Sequence, residues 1–301
     1  LVKADKLLEF QTAHISDSES TFDVVKAKCK ELCRSWKGNP AEKIPILPNT
    51  VDTEFLLPYI NENEPYNLPI GVNKNTLAVE KFNFGSRFIN LVLSSGDDRI
   101  RFLTELLNLI IRIPSLKVTV FDPEEKISID KALFPQDRFK HLNNIELCNE
   151  TASWCYDEMV SRHKAYKASL ETNEKTPEFE YCLFIIVSMK SLVSGLKDDS
   201  YKRLEAVLEN GNPKYRFNYI VSDDSKNVSS YSFNQWYKAQ ISGDTGIWCG
   251  NGVSEQYSLK ANTTTTAMRQ TIDSSQGYVF VDGEATLCKM MAEGDETVND
   301  A

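Results

Sequence analysis

The sequence predicts an α/β fold of three layers, α/β/α, in which helices cover both faces of a mainly parallel central sheet. Three observations predict it. Strand-like runs at 77–84, 88–93, 117–121, 181–187, 217–221 and 246–249 are separated by helical patterns near 98–112, 151–171 and 199–209. Such alternation builds a parallel sheet buried on both sides. Residues 88–111 read as one unit, an apolar β-type run, a short Gly/Asp turn, and a helix with Phe102, Leu103, Leu106, Leu107 and Ile110 at helical spacing. Finally, 301 residues with 41% hydrophobic and 10% aromatic content suffice to bury a full core.

In chain order, the opening LVKADKLLEFQTAH has the pattern apolar strand, polar turn, apolar strand, as does the closing GYVFVDGEATLCKMM. It reads either as the last hairpin of a preceding copy or as a simple β extension. Residues 17–36 form an amphipathic helix with Phe22, Val25, Cys29 and Cys33 on one stripe and Ser18 or Ser20 as cap, stopped by Gly38, Asn39 and Pro40. A connecting strap follows, with Pro40, Pro45, Pro48, Pro58, Pro65 and Pro69 around one helical stretch near 54–60. The compact domain then begins. Runs at 278–281 and 285–290, joined by Asp282-Gly283, read as an edge hairpin, and the acidic tail from 292 is expected to fray. The organisation is therefore 1–16, a tail or linker; 17–67, helix and strap; 68–291, the main domain; 292–301, the polar tail.

Composition excludes several function classes. The longest apolar run, 182–187, is far short of the roughly 20 residues that span a bilayer. A formal charge of -9 without a Lys/Arg block argues against a nucleic-acid surface and for protein partners. Seven cysteines without a CxxC pair, two pairs of them in helical patterns (Cys29/Cys33 and Cys148/Cys155), suit structural, buried thiols in a reducing compartment. Without a leader at Leu1, the chain reads as a piece of something longer.

The unit at 88–111 has the layout of a phosphate-binding loop, and its residues depart from that chemistry. A working GxxxxGK[ST] loop uses glycines so that backbone N–H groups approach phosphate, a Lys for the β/γ oxygens and a hydroxyl for Mg²⁺. The loop runs Ser94, Ser95, Gly96, Asp97, after which Asp98 stands at the second Gly, Arg99 at the Lys and Ile100 at the Ser/Thr. Ser95 to Asp98 also fits a helix-start pattern, so a carboxylate of Asp97 or Asp98 would take the anion's place at the helix N-terminus. Carboxylates there would repel a triphosphate by on the order of 1 to 4 kcal/mol per close pair. Arg99, with Ser95, is the one possible nucleotide contact, because guanidinium binds phosphate well.

Elsewhere, Asp122 follows a strand, where ligands bind in such sheets, yet Asp-Pro reads first as a turn. His14, His141 and His163 are isolated and read as surface or packing residues; no metal ligands or catalytic triad emerge. GDTGIWCGNG, at 243–252, reads as a tight turn between strands. The stripe Trp154, Cys155, Met159 and Tyr166 reads as core, or as part of a partner groove.

Several passages together resemble the FtsK/SpoIIIE-type ATPase modules of EssC/EccC coupling proteins of type VII secretion: LVKADKLLEFQTAH, SWKGNPAEKIPILP, LPIGVNKNTLAVEKFNF, FINLVLSSGDDRIRFLTELLNLI, VTVFDPE, LFIIVSMKSL and TGIWCGNGVSEQY. The resemblance implies a RecA-like P-loop NTPase fold for 68–291 and the position of third and last module. It implies that the acidic pair of an active relative falls at Ser188 and Met189, which cannot hold a metal as carboxylates do. The module is accordingly expected to lack catalytic residues, metal and turnover, with ATP and Mg²⁺ belonging to the alternative of a nucleotide-binding or weakly active module. The implied partners are WXG100-type substrates with a C-terminal signal, preceding ATPase modules, other secretion subunits and a hexamer in the full-length protein. The implied place is the cytoplasmic face of the bacterial membrane.

Overall fold

The computed structural model describes residues 20–38, 46–128, 133–173 and 175–292. The expectations for 1–16, Ser18, His14, Asn39, Pro40, Pro45 and the tail beyond 292 lie outside the described residues. The chain divides into two units, 1–45 and 46–301. In the first, α1 (Thr21–Ser35) starts where the Ser20 hydroxyl accepts the Asp23 N–H at 3.4 Å, satisfying one of the unpaired donors of a helix start. Its stripe of Phe22, Val25, Cys29 and Cys33 is exposed, which corrects the expectation of buried thiols at the two cysteines.

The second unit holds one sheet. Its strands are β1 (Asn67–Asn73), β2 (Val79–Asn83), β3 (Ile89–Ser94), β4 (Leu116–Phe121), β5 (Phe139–Leu142), β6 (Tyr181–Ile186), β7 (Phe217–Asp224), β8 (Gly246–Cys249), β9 (Gln276–Val281) and β10 (Glu284–Met290). Their order is β2-β1-β10-β9-β8-β3-β7-β6-β4-β5. The half from β8 to β5 is parallel, and the half from β2 to β9 joins it antiparallel.

Helices follow the strands: α2 (Thr53–Leu56) before the sheet, α3 (Asp98–Ile110) after β3, and α4 (Ile145–Thr172) after β5. Next come α5 (Met189–Gly195) and α6 (Asp198–Asn210) after β6, then α7 (Ser225–Ser229) and α8 (Gln235–Gln240) after β7.

Strand periodicity builds two cores. Val92, Val118, Val120, Leu183, Ile185 and Ile220 face one way, against Phe102, Leu103, Leu106 and Ile110 of α3. Leu91, Leu93, Phe184, Ile186 and Val221 face the other, against Cys155 of α4, Leu204 of α6 and Trp236 of α8. Alternate residues of a strand point to opposite faces, so both faces must be apolar and both must be covered. The three layers and the mainly parallel sheet are as expected.

The closing hairpin β9–β10 is not at an edge. β9 pairs with β8 and β10 with β1, so the edges are β2 and β5. Glycines permit the close approach: a Cβ on Gly71 would stand 2.4 Å from the Lys289 carbonyl oxygen, and one on Gly277 2.3 Å from that of Trp248. The sequence reading also missed β1, β5, α5, α7 and α8, and began α4 six residues late. Asn144 starts that helix, its side chain accepting the Leu147 N–H at 2.9 Å.

Candidate functional site

Four parallel strands, β3, β7, β6 and β4, end side by side, and the chain turns from each end into a loop or helix. Over these ends lies an open cleft of about 550 Å³, lined by the loop after β3, the turn after β4, α5 and the start of α7. Open α/β sheets carry their ligand sites at the carboxyl ends of strands. The charged residues lining it are the acids Asp97, Glu124, Asp223 and Asp224 and the bases Arg99, Lys126 and Lys190.

The loop after β3 satisfies itself. Ser94, the fully buried last residue of the strand, accepts the Gly96 N–H at 3.3 Å and the Arg99 Nη1 at 3.3 Å. Arg99 Nη1 also donates to the Gly96 carbonyl. Only 3% exposed, Arg99 lies on the first turn of α3 and folds back onto the loop that precedes it.

The helix-start expectation needs correction. Asp97 is the N-cap, but its carboxylate makes no capping bond; the side chain is 92% exposed and 3.9 Å from Arg99 Nη1. Ser95 is exposed and donates instead to the Asn251 carbonyl at 3.3 Å. Asp98 is half-buried against the Gly250 backbone, and burial pushes its carboxyl pKa up despite nearby Arg101. The side chain folded onto the loop is therefore a cation, where a carboxylate was expected.

Asp223, near the end of β7, is a site residue the sequence reading missed. It is 1% exposed, and both oxygens are occupied: Oδ2 accepts from Ser188 Oγ at 3.1 Å and the Lys190 N–H at 2.8 Å. Oδ1 accepts from the Asp224 N–H at 2.7 Å and Asn227 Nδ2 at 2.8 Å. Arg99 Nη2 lies 4.0 Å from the same Oδ1. The only sequence sign of this hub was the doublet Asp223-Asp224 just past an apolar run.

After β6, Ser188 starts α5, accepting the Ser191 N–H at 3.3 Å, while Met189 is wholly buried. Ile100 is only partly buried and packs against the α3-side core. The residues at the cleft do not fit a magnesium nucleotide. The Gly96 amide and carbonyl are both engaged within the chain, and the Asp223 carboxylate, bound by four donors and already faced by the Arg99 guanidinium, has no open position for a metal ion. No group of three metal-ligating side chains occurs among the described residues.

Asp122 is a turn residue, as the sequence favoured. Its carboxylate accepts the Lys126 and Ile127 N–H groups at 2.9 Å each and lies 3.2 Å from His141 Nε2. His141 is thus a partnered residue beside the site, which its isolation in sequence concealed. His163 pairs with the Tyr215 hydroxyl at 2.7 Å. The 243–252 segment does more than turn: it carries β8, and Gly250 and Asn251 then pack on Asp98 and Ser95. Within the α4 stripe Cys155 and Met159 are core residues, whereas Trp154 is half-exposed, packs beside Phe184 and Phe217, and is covered by Lys140. Cys148, Cys182, Cys249 and Cys288 are buried too. Among the described residues no helix is long and apolar enough to cross a membrane.

No protein-family model matches the chain, and no curated protein is significantly similar to it. Solved structures are similar. The cytoplasmic domain of EssC superposes with a TM-score of 0.68 at 16% identity, covering 97% of this chain and 57% of that one. EssC (ATPases 2 and 3) from Geobacillus thermodenitrificans gives 0.70 at 15%, covering 92% and 51%. EccC (ATPases 2 and 3) from Thermomonospora curvata, in complex with a signal sequence peptide, gives 0.61 at 13%, covering 93% and 50%. The chain spans about half the length of these structures, and at such identities the likeness is one of fold. That fold is the RecA-like α/β/α fold of the EssC and EccC ATPase domains of type VII secretion, the family its passages resemble.

Proposed function

We propose that the chain is a catalytically inactive ATPase-fold module of a membrane-anchored type VII secretion motor, acting in substrate recognition and in regulation of export. One observation carries the reading: the Arg99 guanidinium is bonded to the Gly96 carbonyl, inside the loop where an active relative holds phosphate on N–H groups. In this reading Ser94, Ser95, Gly96, Asp97, Asp98, Arg99 and Ile100 are a degenerate Walker A loop, and Ser188-Met189 a degenerate Walker B. Residues 68–291 form the module, with 17–67 as helix and strap, 1–16 as the end of a preceding module and 292–301 as a polar tail.

The EccC neighbour in complex with a signal sequence peptide supports a peptide substrate. We assign to this module the C-terminal signal of WXG100-type proteins, with preceding ATPase modules and other secretion subunits as further partners. The full-length protein would be a hexamer at the cytoplasmic face of the membrane. The net charge of -9 supports protein rather than nucleic-acid partners.

Calorimetric titration of the chain with Mg-ATP, repeated with Arg99→Ala, tests the reading. No heat is expected from either. Micromolar binding lost in the variant would replace this reading with that of a nucleotide-responsive module.

A further inference from the structure

We propose that Arg99 is a built-in ligand of the cleft, a guanidinium that ties the β3 loop to Asp223 and through it sets α5 and α7, so that the chain itself holds the cleft walls in place. The proposal deepens the preceding reading of the same cleft, as its mode of regulation, and depends on that reading for its functional meaning.

The contacts form one connected set. On one side of Arg99 stand the Gly96 carbonyl, on the loop, and Ser94 Oγ at 3.3 Å, at the end of β3. On the other stands the Asp223 carboxylate at 4.0 Å, a pair whose side chains are only 4% and 2% exposed. From Asp223 the set runs to Ser188 Oγ and the Lys190 N–H at the start of α5, and to Asn227 Nδ2 in α7. Three strand ends and three helices therefore meet at one carboxylate.

A carboxylate so enclosed is costly without its cation, because little water reaches it to take the cation's place. Removing Arg99 leaves Asp223 with neutral donors only, and its neighbours must open to admit solvent. Loosening of the loop then appears at α5 and α7, neither of which Arg99 touches through any hydrogen bond in the structure. A nucleotide-dependent cleft gains its ordering ligand from solution; this one carries it in the sequence. Arg99 Nε is buried and has no hydrogen-bond partner among the described residues, so the loop contacts of Nη1 and the pairing of Nη2 with Asp223 are what hold the guanidinium.

Hydrogen exchange on the full chain without nucleotide tests the coupling. In Arg99→Ala and Arg99→Gln, amides of 94–99, 188–195 and 225–229 should all exchange about 10-fold faster or more, while the far strands β1 and β2 keep their protection. Asp223→Asn should open the same three segments. Guanidinium chloride below denaturing concentration, against matched sodium chloride, should restore protection in Arg99→Ala but not in Arg99→Ala/Asp223→Asn. Faster exchange confined to 94–99, or equal effects of the two salts, would overturn the proposal. Nucleotide binding by the unaltered chain would instead overturn the proposed function and leave the coupling intact, since the coupling is read without nucleotide.

Discussion

The Gly250 backbone lies against the Asp98 carboxylate so closely that a Cβ on Gly250 would stand 1.9 Å from Oδ2. Gly250 also adopts a left-handed φ of 75°. Both features disfavour a side chain. Gly250→Ala is expected to destabilise the fold by about 2 kcal/mol or more, from backbone strain and overpacking together. Gly96 is the opposite case: no atom lies within 4 Å of its Cβ position, and its φ is not left-handed. Gly96→Ala should change stability by less than about 1 kcal/mol. Urea unfolding of both variants checks the contrast, and a large loss at Gly96 would contradict this description of the loop.

Asp122 gives a pH dependence of definite sign. Burial raises its pKa, but the hydrogen bond from His141 and those from two backbone amides outweigh burial, and the net shift is downward from the ordinary carboxylate value. A carboxylate depressed by folding contributes stability above the unfolded pKa and loses it as pH falls through the folded value. Asp122→Asn should therefore cost about 1 to 2 kcal/mol at pH 7. The gap should close as the pH is taken below the ordinary carboxylate range. A gap constant from pH 7 to pH 3 would contradict it.

Arg162 holds the opposite end of the sheet. It is 5% exposed and donates Nε to Glu158 at 2.7 Å and Nη1 to the carbonyls of Glu180 and Tyr215 at 2.9 and 2.8 Å. Its guanidinium also lies 5.3 and 5.0 Å from the ring centres of Phe179 and Phe217. Arg162→Ala is expected to cost about 3 to 5 kcal/mol, because these acceptors lose their donor. Arg162→Lys should recover only part of the loss, since an ammonium cannot reproduce the planar fork. Chemical denaturation checks both variants, and full recovery by Lys would sink the argument.

An acidic pair cannot be installed after β6 by substitution alone. Met189 is wholly buried in the core, and Ser188 Oγ lies 3.1 Å from the Asp223 carboxylate. Met189→Glu should cost about 3 kcal/mol or more through an unpaired buried charge, and Ser188→Asp would set two carboxylates together. The double variant is expected to melt at a markedly lower temperature and to show no ATP turnover. Turnover at unchanged melting temperature would show that the site tolerates the acidic pair.

What the sequence made legible follows from periodicity. The parallel strands are apolar on both faces, so runs such as 181–187 and 217–221 stand out, and the stripe on α3 is regular enough to place Leu103, Leu106 and Ile110 in the core. Several short elements were not legible. β5 is four residues long and contains Lys140 and His141, and α5, α7 and α8 have seven, five and six residues, too few for a helical period to emerge. Within the site, local chemistry misled. Ser95 to Asp98 fits a capping pattern, but Asn251 arrives from 156 positions away to take the serine, and Gly250 closes over Asp98. Asp223 and His141 were missed because the partners that place them at the site, Ser188 and Arg99 for the one and Asp122 for the other, are distant in sequence and adjacent only in the folded sheet.

The placement of the closing hairpin has a consequence for synthesis. β1 and β2, the first strands of the sheet, connect to it only through β10, the last to leave the ribosome. Until residues 284–290 emerge, β1 and β2 remain a two-stranded ribbon with an open edge, too small to be stable in water. Chains ended early by premature termination would expose that edge to proteases and to other nascent chains. The antiparallel half of the sheet therefore closes only when its last-made strand arrives, however early β1 and β2 are synthesised.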